Sequence, residues 1–293
     1  MTANLAAYAD KVTILDGAWG TELQKRGLPP GVCPDAWNLQ NPPAVSAVAE
    51  AYVQAGAQVI LSNTFRSNRL ALADAGLADK ANDLAERGVA ISRRAAGQDV
   101  RVFASMGPSG KILMMGEIPP DEVYRAFAAQ AAALERGGAD AILCESFFEL
   151  DEILLAAKAA RDNTRLPLVT SMTFEVKDGK VATIMGATPA DLVAAARKAG
   201  IAAVGGNCGA GPESYVEIAG AFRRATDLPI WIKPNAGLPA VSADGQTSFP
   251  MGPAEFARIA PALVQAGANF LGGCCGTTPE HIRQLRAAVA GLK

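Results

Sequence analysis

The stretch QAGANFLGGCCGTTP, residues 265–279, holds one short strand with a helix end before it and a helix start after it. Gly267 follows a helical pattern, and glycine is the residue that most often ends a helix in the left-handed conformation. The apolar run Asn269–Cys274 predicts a buried strand. Thr278 and Pro279 then fit the N-cap and the first position of a helix. The stretch therefore predicts a helix–strand–helix unit with tight connections.

The same unit recurs along the chain. Three further glycine-bearing helix ends are Gln54-Ala-Gly56-Ala, Arg136-Gly-Gly138-Ala and Lys198-Ala-Gly200-Ile. Seven further apolar runs are Val12–Asp16, Gln58–Asn63, Val100–Ser105, Ala141–Glu145, Leu168–Thr173, Ala203–Cys208 and Ile230–Asn235. Continuous apolar runs are typical of parallel strands that are covered on both faces.

Helical patterns separate the runs. The clearest are Asp121–Arg136, Asp151–Asp162, Ala190–Lys198, Glu213–Ala225 and Pro253–Gln265. Eight strand–helix units without a break in composition predict an α/β fold, a single (β/α)8 TIM barrel over residues 1–293, with a doubly wound open sheet as the alternative.

Composition narrows the class of protein. Half of the 293 residues are hydrophobic, 19% are charged and the net charge is -2, so neither nucleic acid nor an anionic membrane is expected as a partner. No run reaches the length of a membrane span, and the N-terminus lacks the pattern of a secretory signal. Five cysteines in a chain of this size argue against a disulfide framework. A cytoplasmic location is expected.

Three of the five cysteines follow predicted strands. Cys208 ends one run, and the adjacent pair Cys274 and Cys275 ends another. In a barrel these positions share one mouth, where three thiols could bind a thiophilic metal such as zinc and leave one coordination position open. Cys144 lies inside a strand and points away from the mouth, and Cys33 lies in a loop. Neither is expected to take part.

The other strand ends add polar groups to the same mouth. Asp16 and Gly17 follow the first run, and a close approach of the backbone to a small polar ligand is expected there, with Asp16 as a cation acceptor. Glu145 follows the fourth run. With no lysine or arginine at a neighbouring strand end, we expect Glu145 to bind a substrate ammonium rather than to form a buried ion pair. His281, the only histidine, is expected to face solvent in the first turn of a helix.

Taken in order, these motifs resemble the homocysteine S-methyltransferase family. The segments that carry the resemblance are Asp16–Thr21, Ser62–Phe65, Met106–Ser109, Glu145–Phe147, Gly206–Gly209, Lys233–Gly237 and Gly272–Pro279. The double-cysteine motif with the upstream Asn-Cys pair is highly specific, and the match runs from about residue 11 to residue 291.

The resemblance implies that Cys208, Cys274 and Cys275 hold Zn²⁺ and that the thiol of homocysteine takes the open position. It further implies that Asp16, Gly17 and Glu145 bind the amino-acid end of homocysteine. Asn207 and Asn235 are expected beside the metal, with Asn235 either a ligand when no thiol is bound or a hydrogen-bond partner of the ligands. The product would be methionine.

The methyl donor stays open at this stage. Betaine-using members enclose the donor in aromatic rings, and the matching positions here are Val32, Arg66 and Ser146. The chain looks closer to the homocysteine module of cobalamin-dependent methionine synthase, which favours a methylcorrinoid carried on a separate protein. S-methylmethionine is the alternative donor, another small thiol is an alternative acceptor, and a zinc-binding barrel that serves as a scaffold is the non-catalytic alternative.

Overall fold

The computed structural model describes residues 5–8, 10–241 and 247–292. Its main sheet comprises β1 Thr13–Ile14, β2 Val59–Leu61, β3 Arg101–Met106, β4 Ala141–Phe147, β5 Leu168–Met172, β6 Ala203–Asn207, β7 Ile230–Lys233 and β8 Phe270–Leu271. Each strand is parallel to the next, and β8 pairs with β1. A parallel bridge between Leu15 and Val59 brings β1 and β2 together. The predicted (β/α)8 barrel is thereby confirmed.

Eight helices surround the strands. They are α1 Pro42–Gln54, α2 Ala81–Ala96, α3 Pro120–Arg136, α4 Leu150–Asn163, α5 Pro189–Ala199, α6 Pro212–Ala225, α7 Pro253–Gln265 and α8 Pro279–Ala288. Six of them begin at a proline, whose fixed φ suits the first helical position. Two short helices, Gly20–Lys25 and Trp37–Gln40, lie in the connection between β1 and α1. None of the described helices is long and apolar enough to cross a membrane.

The structure departs from the sequence prediction at the first and last strands and in two loops. β1 and β8 are two residues long, although backbone hydrogen bonds from Gly272 to Ile232 and from Gly273 to Asp16 continue beyond them. An unpredicted hairpin follows β5 and pairs Glu175–Lys177 with Lys180–Ala182. Its turn, Asp178-Gly179, has φ of 51° and 69°, as a type I′ turn requires. A second hairpin after β7 pairs Ala240–Val241 with Thr247–Ser248.

The core has two parts that follow from the alternation of side chains along each strand. One set points outward and packs against the helices; Cys144 belongs to this set, as the sequence predicts. The other set fills the inside of the barrel and includes Phe103, Leu143, Val169 and Trp231. The rings of Phe103 and Trp231 stack with centroids 5.8 Å apart. This packed interior supports everything that lies above it at the carboxyl ends of the strands.

Candidate metal centre and substrate cavity

Polar side chains replace the apolar ones in the top layer of the barrel interior. Two residues beyond Phe103, Leu143, Val169 and Trp231, the inward positions carry Ser105, Glu145, Ser171 and Lys233, respectively. All four side chains are buried. Polar groups buried in this way are costly unless they bond to each other or to a ligand. The inward side chains change from apolar to polar over two residues of each strand, and this change marks the floor of a site.

The three predicted cysteines meet at this layer. The sulfur atoms of Cys208, Cys274 and Cys275 lie within 4.8 Å of one another, and the three residues are partly buried. Zn–S bonds of about 2.3 Å in a tetrahedral site place sulfurs roughly 3.8 Å apart, so a small inward movement of the side chains would suffice to hold the ion. In the described part of the chain, no other group of three or more cysteine, histidine or acidic side chains is close enough to hold a metal.

The backbone is strained where it presents the first of these sulfurs. Cys208 has φ of 64°, in the left-handed region that side chains other than those of glycine, asparagine and aspartate rarely adopt. Its carbonyl accepts a hydrogen bond from the buried Tyr215 hydroxyl at 2.8 Å, and its N–H donates to the carbonyl of Lys233. These bonds hold a conformation that costs on the order of 1 kcal/mol or more, which is typical of functional sites.

Ionisation of one thiol in the cluster makes ionisation of the other two more difficult. Hydrogen bonds from the thiols of Cys274 and Cys275 lower the pKa of Cys208, and the same contacts raise the pKa of the other two. One thiolate is thus easily formed, whereas a second and a third would be repelled by it. A divalent cation bound among the sulfurs would remove that repulsion. The donor set therefore fits a thiophilic metal ion.

Asp16 is fully buried, and its carboxylate is already occupied by the protein. One oxygen accepts hydrogen bonds from the Trp19 indole N–H at 2.8 Å and from the Leu61 backbone N–H at 2.7 Å. The other accepts from the ammonium of Lys233 at 2.5 Å. The cation that Asp16 accepts in the structure is thus a lysine of the chain itself. The predicted contact of Asp16 with the amino-acid end of homocysteine stays a prediction.

Lys233 is a charged neighbour of Glu145 that the sequence prediction leaves out. The strands beside β4 are β3 and β5, and neither ends in a lysine or an arginine, as the sequence indicates. The basic residue of this layer comes from across the barrel: β7 ends at Lys233, whose side chain reaches Asp16. Burial would lower the pKa of Lys233, but the carboxylates of Asp16 and Glu145 raise it, so the ammonium stays charged. Continuing the alternation two residues from Trp231 would have found this residue.

Glu145 lies in the same layer with one firm hydrogen bond. Oε1 accepts from the Ser105 hydroxyl at 2.5 Å, and Oε2 is 3.3 Å from the amide nitrogen of Asn207. Burial raises the pKa of the Glu145 carboxyl to about 7, and the nearby Lys233 ammonium opposes part of this effect. A carboxyl that titrates near neutrality and lines a cavity is a candidate for binding a ligand cation.

The two predicted asparagines occupy different environments. Asn207 is completely buried; its Oδ1 accepts from the Ser171 hydroxyl at 2.6 Å, and its Nδ2 donates to Ser146 Oγ at 2.6 Å. Its Nδ2 is also 3.9 Å from the Cys274 sulfur. The side chain of Asn235 donates to the sulfur of Cys208 and lowers its pKa. Asn235 Oδ1 is buried without a hydrogen-bond partner in the described structure, as a vacant metal ligand would be.

Gly17 lies where a side chain would not fit. A Cβ atom there would come within 2.7 Å of Thr277 Oγ1 and 2.8 Å of the Tyr52 hydroxyl. The Thr277 hydroxyl itself accepts from the backbone N–H of Ala18 at 3.1 Å and donates to the carbonyl of Cys274 at 2.7 Å. The loop after β1 is thus joined directly to the loop that carries two of the sulfurs.

These groups share one cavity of about 650 Å³. Its wall includes Asp35 and Arg66 on one side and the aromatic rings of Trp19, Phe65 and Phe148. Of the predicted site residues, Gly17, Glu145 and the three cysteines line it together with Lys233, whereas Asp16, Asn207 and Asn235 do not. Of the positions that match the betaine cage, Arg66 and Ser146 line the cavity.

Exposed apolar side chains lie in the connections at the end of the barrel that holds this cavity. Eleven large hydrophobic residues are exposed in the described part of the chain, and ten of them lie in loops that follow barrel strands. We call six of these residues the apolar rim: Ile112, Met114, Met115, Ile184, Met185 and Leu238. Four of the six are at least 66% exposed. Clustered apolar exposure of this kind marks interaction surfaces.

The remaining candidates lie outside the cavity, and one differs from its prediction. His281 is 4% exposed rather than solvent-facing, because it is the N3 residue of a capping box with Thr278 and its Nε2 lies 3.0 Å from the Met251 carbonyl. Burial lowers the pKa of His281 accordingly. Cys33 is buried among Leu72, Ala81 and Leu84, away from the other sulfurs.

A (β/α)8 barrel with three sulfurs and buried charged side chains at the wall of one cavity is the arrangement of an enzyme whose chemistry uses thiols. The chain belongs to the homocysteine S-methyltransferase family, whose model matches residues 13–289. This membership confirms the resemblance seen in the sequence and the expected enzyme class, an S-methyltransferase.

Individual relatives agree with this membership. The chain is 33% identical over 306 residues to methionine synthase of Mycobacterium leprae (strain TN) and 33% identical over 309 residues to that of Mycobacterium tuberculosis (strain ATCC 25618 / H37Rv). These matches cover 98% and 99% of the chain but 25% of each relative. The chain thus spans one quarter of the length of the curated relatives it matches.

Solved structures of one bacterial enzyme have the same architecture. The metallated form of the homocysteine methyltransferase MmuM from Escherichia coli superposes with a TM-score of 0.80 at 25% identity and covers 96% of this chain and 98% of that one. The oxidized form gives a TM-score of 0.76 at 26% identity and covers 94% and 95%.

Proposed function

We propose that this protein transfers a methyl group to the thiolate of homocysteine and forms methionine, with zinc at the three cysteines and a methylcorrinoid on a separate protein as the donor. The observation that carries the proposal is the convergence of three sulfurs within 4.8 Å at the wall of a cavity that Glu145 and Lys233 also line. Family membership supports the acceptor, and the existence of a metallated form of MmuM supports a bound metal.

The residues present suit a zinc ion. Cys208, Cys274 and Cys275 would hold it, and the unpartnered oxygen of Asn235 is a fourth donor that a substrate thiol could replace. A bound zinc ion would supply the positive charge that keeps these sulfurs, and an incoming thiol, in the thiolate form at neutral pH.

The protein's own groups orient the acceptor for attack. Glu145 would bind the ammonium group of homocysteine, and the Ser105 and Asn207 hydrogen bonds fix the direction of the Glu145 carboxyl. Gly17 lines the cavity and would present its backbone to the amino-acid end, while Asp16 holds the indole of Trp19 at the wall. The thiolate then attacks the methyl carbon, and the bond to the donor breaks with its electron pair left on the donor.

The apolar rim supports a macromolecular donor. A small donor needs only the cavity, whereas exposed methionine, isoleucine and leucine side chains at that end of the barrel suit a protein that docks there. Arg66 adds a positive charge to the cavity wall and so disfavours a cationic donor such as betaine or S-methylmethionine. The match covers one quarter of each methionine synthase. The other three quarters of those proteins lie outside the matched barrel and leave room for other domains.

S-methylmethionine is the second candidate donor. Trp19, Phe65 and Phe148 line the cavity, and aromatic faces attract a sulfonium ion through cation–π interaction. A donor of this size would occupy the outer part of the cavity without any contact to the apolar rim. The two donors therefore make different demands on the same opening.

A comparison of donors tests the function. Zinc-loaded protein is incubated with homocysteine and, in parallel, S-methylmethionine, betaine or free methylcobalamin, and methionine is measured. Methionine from methylcobalamin alone supports the corrinoid proposal, and methionine from S-methylmethionine selects the second candidate. If none of the three yields methionine while the protein binds homocysteine, the donor must be presented by a protein; failure to bind homocysteine contradicts the function itself.

A substitution in the sulfur cluster tests the metal. Cys208→Ala is expected to lose both bound zinc and methyl transfer, since two thiolates seldom suffice to hold the ion. Cys33→Ala is the matched control, because Cys33 is a buried thiol outside the cluster. Full zinc occupancy in Cys208→Ala would contradict the three-cysteine site.

A further inference from the structure

We propose that Lys233 is the residue that recognises the carboxylate of the acceptor, so that Lys233 and Glu145 together bind the two charged ends of an amino-acid thiol. The inference rests on the proposed function, because it assumes a thiol acceptor in this cavity. It assigns a role to the first residue of the Lys233–Gly237 motif, a side chain for which the sequence predicted none.

The position of Lys233 is the first step. Its side chain occupies the polar layer directly above the packed rings of Trp231 and Phe103, and it lines the same cavity as Glu145 and the sulfurs. It is 2% exposed, so its ammonium is removed from bulk water. A lysine placed for structural pairing alone would gain nothing from lying at the floor of an open cavity.

The hydrogen bonds of Lys233 are the second step. An ammonium group has three N–H donors. One is used by Asp16 Oδ1 at 2.5 Å, and the hydrogen bonds of the described residues include no other acceptor for this nitrogen. Donors that stay unpaired in a buried place are costly, and an acceptor that enters with the ligand would remove that cost.

The balance of charge is the third step. Asp16 does not line the cavity, and its carboxylate already accepts three hydrogen bonds, from Trp19, Leu61 and Lys233. Glu145 lines the cavity, and the hydrogen-bond partner of its Oε2 among the described residues is the Asn207 amide at 3.3 Å. The floor of the cavity thus presents one anion and one cation with unused hydrogen-bonding capacity. An α-amino acid, with one ammonium and one carboxylate, is complementary to that arrangement.

The consequence is specificity for the class of acceptor. A thiol that lacks the carboxylate would leave the Lys233 donors unpaired, and a thiol that lacks the ammonium would leave Glu145 unpaired. Sites with buried polar groups reject ligands that fail to satisfy them far more strongly than apolar pockets reject a ligand of similar shape. The pair therefore selects amino-acid thiols over simple alkyl thiols.

Three thiols distinguish the contribution of the carboxylate to binding from that of the ammonium. Homocysteine has both charged groups, 3-aminopropane-1-thiol lacks the carboxylate, and 4-sulfanylbutanoate lacks the ammonium. Their dissociation constants are measured by calorimetry on zinc-loaded protein without any methyl donor. In the wild type, removal of the carboxylate is expected to weaken binding about 30-fold, as is typical when one partner of a buried charged hydrogen bond is lost.

Variants of the two residues test whether Lys233 binds the carboxylate and Glu145 binds the ammonium. In Lys233→Met, homocysteine and 3-aminopropane-1-thiol are expected to bind within about 3-fold of each other, because the group that tells them apart is gone. Glu145→Gln is the matched control: it should lose the preference for the ammonium and keep the preference for the carboxylate. The double variant Asp16→Asn with Lys233→Met removes both buried charges together, so that the fold can be retained if Lys233→Met alone is unstable.

The outcomes separate this inference from the proposed function. If Lys233→Met and the double variant weaken binding of homocysteine and 3-aminopropane-1-thiol by the same factor, Lys233 only supports Asp16 and the inference is overturned. A wild-type protein that binds none of the three thiols overturns the acceptor itself, and the inference with it. A wild type that binds homocysteine and shows the expected loss of carboxylate preference in the variants supports both.

Discussion

The floor of the cavity and the apolar rim differ in the burial and the hydrogen bonding of their side chains. At the floor, Asp16, Glu145 and Lys233 are almost fully buried and bonded to neighbours fixed by the barrel. At the apolar rim, Met115 and Ile184 are each 72% exposed and lie on loops. A site that must recognise one small acceptor needs a fixed geometry, whereas a surface that meets a second protein can remain open until docking. Under the proposed function, this difference would mean that the acceptor and the donor are recognised in different ways.

The largest effect should come from disturbing the support of the floor. A Cβ atom at Gly205 would come within 1.8 Å of the Trp231 carbonyl oxygen, a backbone atom that cannot move without shifting β7. Gly205→Ala is therefore expected to reduce the free energy of unfolding by about 3 kcal/mol or more. Urea denaturation measures this, with Gly20→Ala as control, since a Cβ at Gly20 meets nothing within 4 Å. Equal stability of the two variants would contradict the tight packing described beneath the floor.

A smaller effect is expected on the pH dependence of the free energy of unfolding, and it comes from the Glu145 carboxyl. Its pKa is raised by burial to about 7 from 4.5, so the folded protein binds this proton more tightly than the unfolded chain does. Between these two values the folded state carries more protons, and the stability therefore falls as the pH rises through that window. The contribution is on the order of 3 kcal/mol at most.

Denaturation of the metal-free protein between pH 5 and pH 8 measures this slope. Glu145→Gln should be flatter than the wild type, because the neutral amide has no proton to release. A Glu145→Gln variant with an unchanged slope would assign the pH dependence to other carboxyls, of which the buried Asp35 is the first candidate, since burial raises its pKa to about 6.

Charges placed on the apolar rim should separate the two kinds of donor. The double variant Met114→Asp with Met115→Asp is expected to slow transfer from a corrinoid protein about tenfold, because a docking surface must then bury two charges. Transfer from a small donor should be unchanged. Leu292→Asp is the control, since Leu292 is exposed outside the strand-end loops. The apolar rim has no role in docking if the double variant and the control behave alike with every donor.

The smallest effect concerns a helix that belongs to neither region. Thr278 caps α8 through its hydroxyl, which accepts from the His281 backbone N–H. Thr278→Ala should cost about 1 kcal/mol of stability, as the loss of an N-cap usually does, and should leave zinc content and thiol binding unchanged. Loss of zinc in this variant, measured by atomic absorption, would mean that α8 helps to position the adjacent sulfurs.

The sequence predicted those features that repeat or that carry unmistakable chemistry. Continuous apolar runs separated by glycine-capped helices were enough for the barrel, because each unit repeats the same burial pattern. Two adjacent cysteines at one strand end and a third at another were enough to predict that the sulfurs meet. The order of the units fixes which strand ends share a mouth, so these predictions needed no knowledge of loops.

The features that the sequence analysis missed depend on register and on local turns. Lys233 was overlooked because the end of β7 was placed two residues too late, and the alternation from Trp231 was not followed to its next inward position. The hairpin after β5 was missed although Asp178-Gly179 is a strong turn signal. His281 is buried because it closes a capping box and reaches the Met251 carbonyl, a contact between distant parts of the chain.

The bond between the Thr277 hydroxyl and the backbone of Ala18 has a consequence for how the protein reaches its native state. The first and the last unit of the barrel meet at this bond, beside two-residue strands that provide little pairing of their own. Contacts between residues so far apart in sequence form late and slowly. Asp16, Gly17 and two of the sulfurs lie where the first and the last unit meet. The pocket is therefore completed only when the ring closes, and bound metal should report ring closure more directly than helix content does.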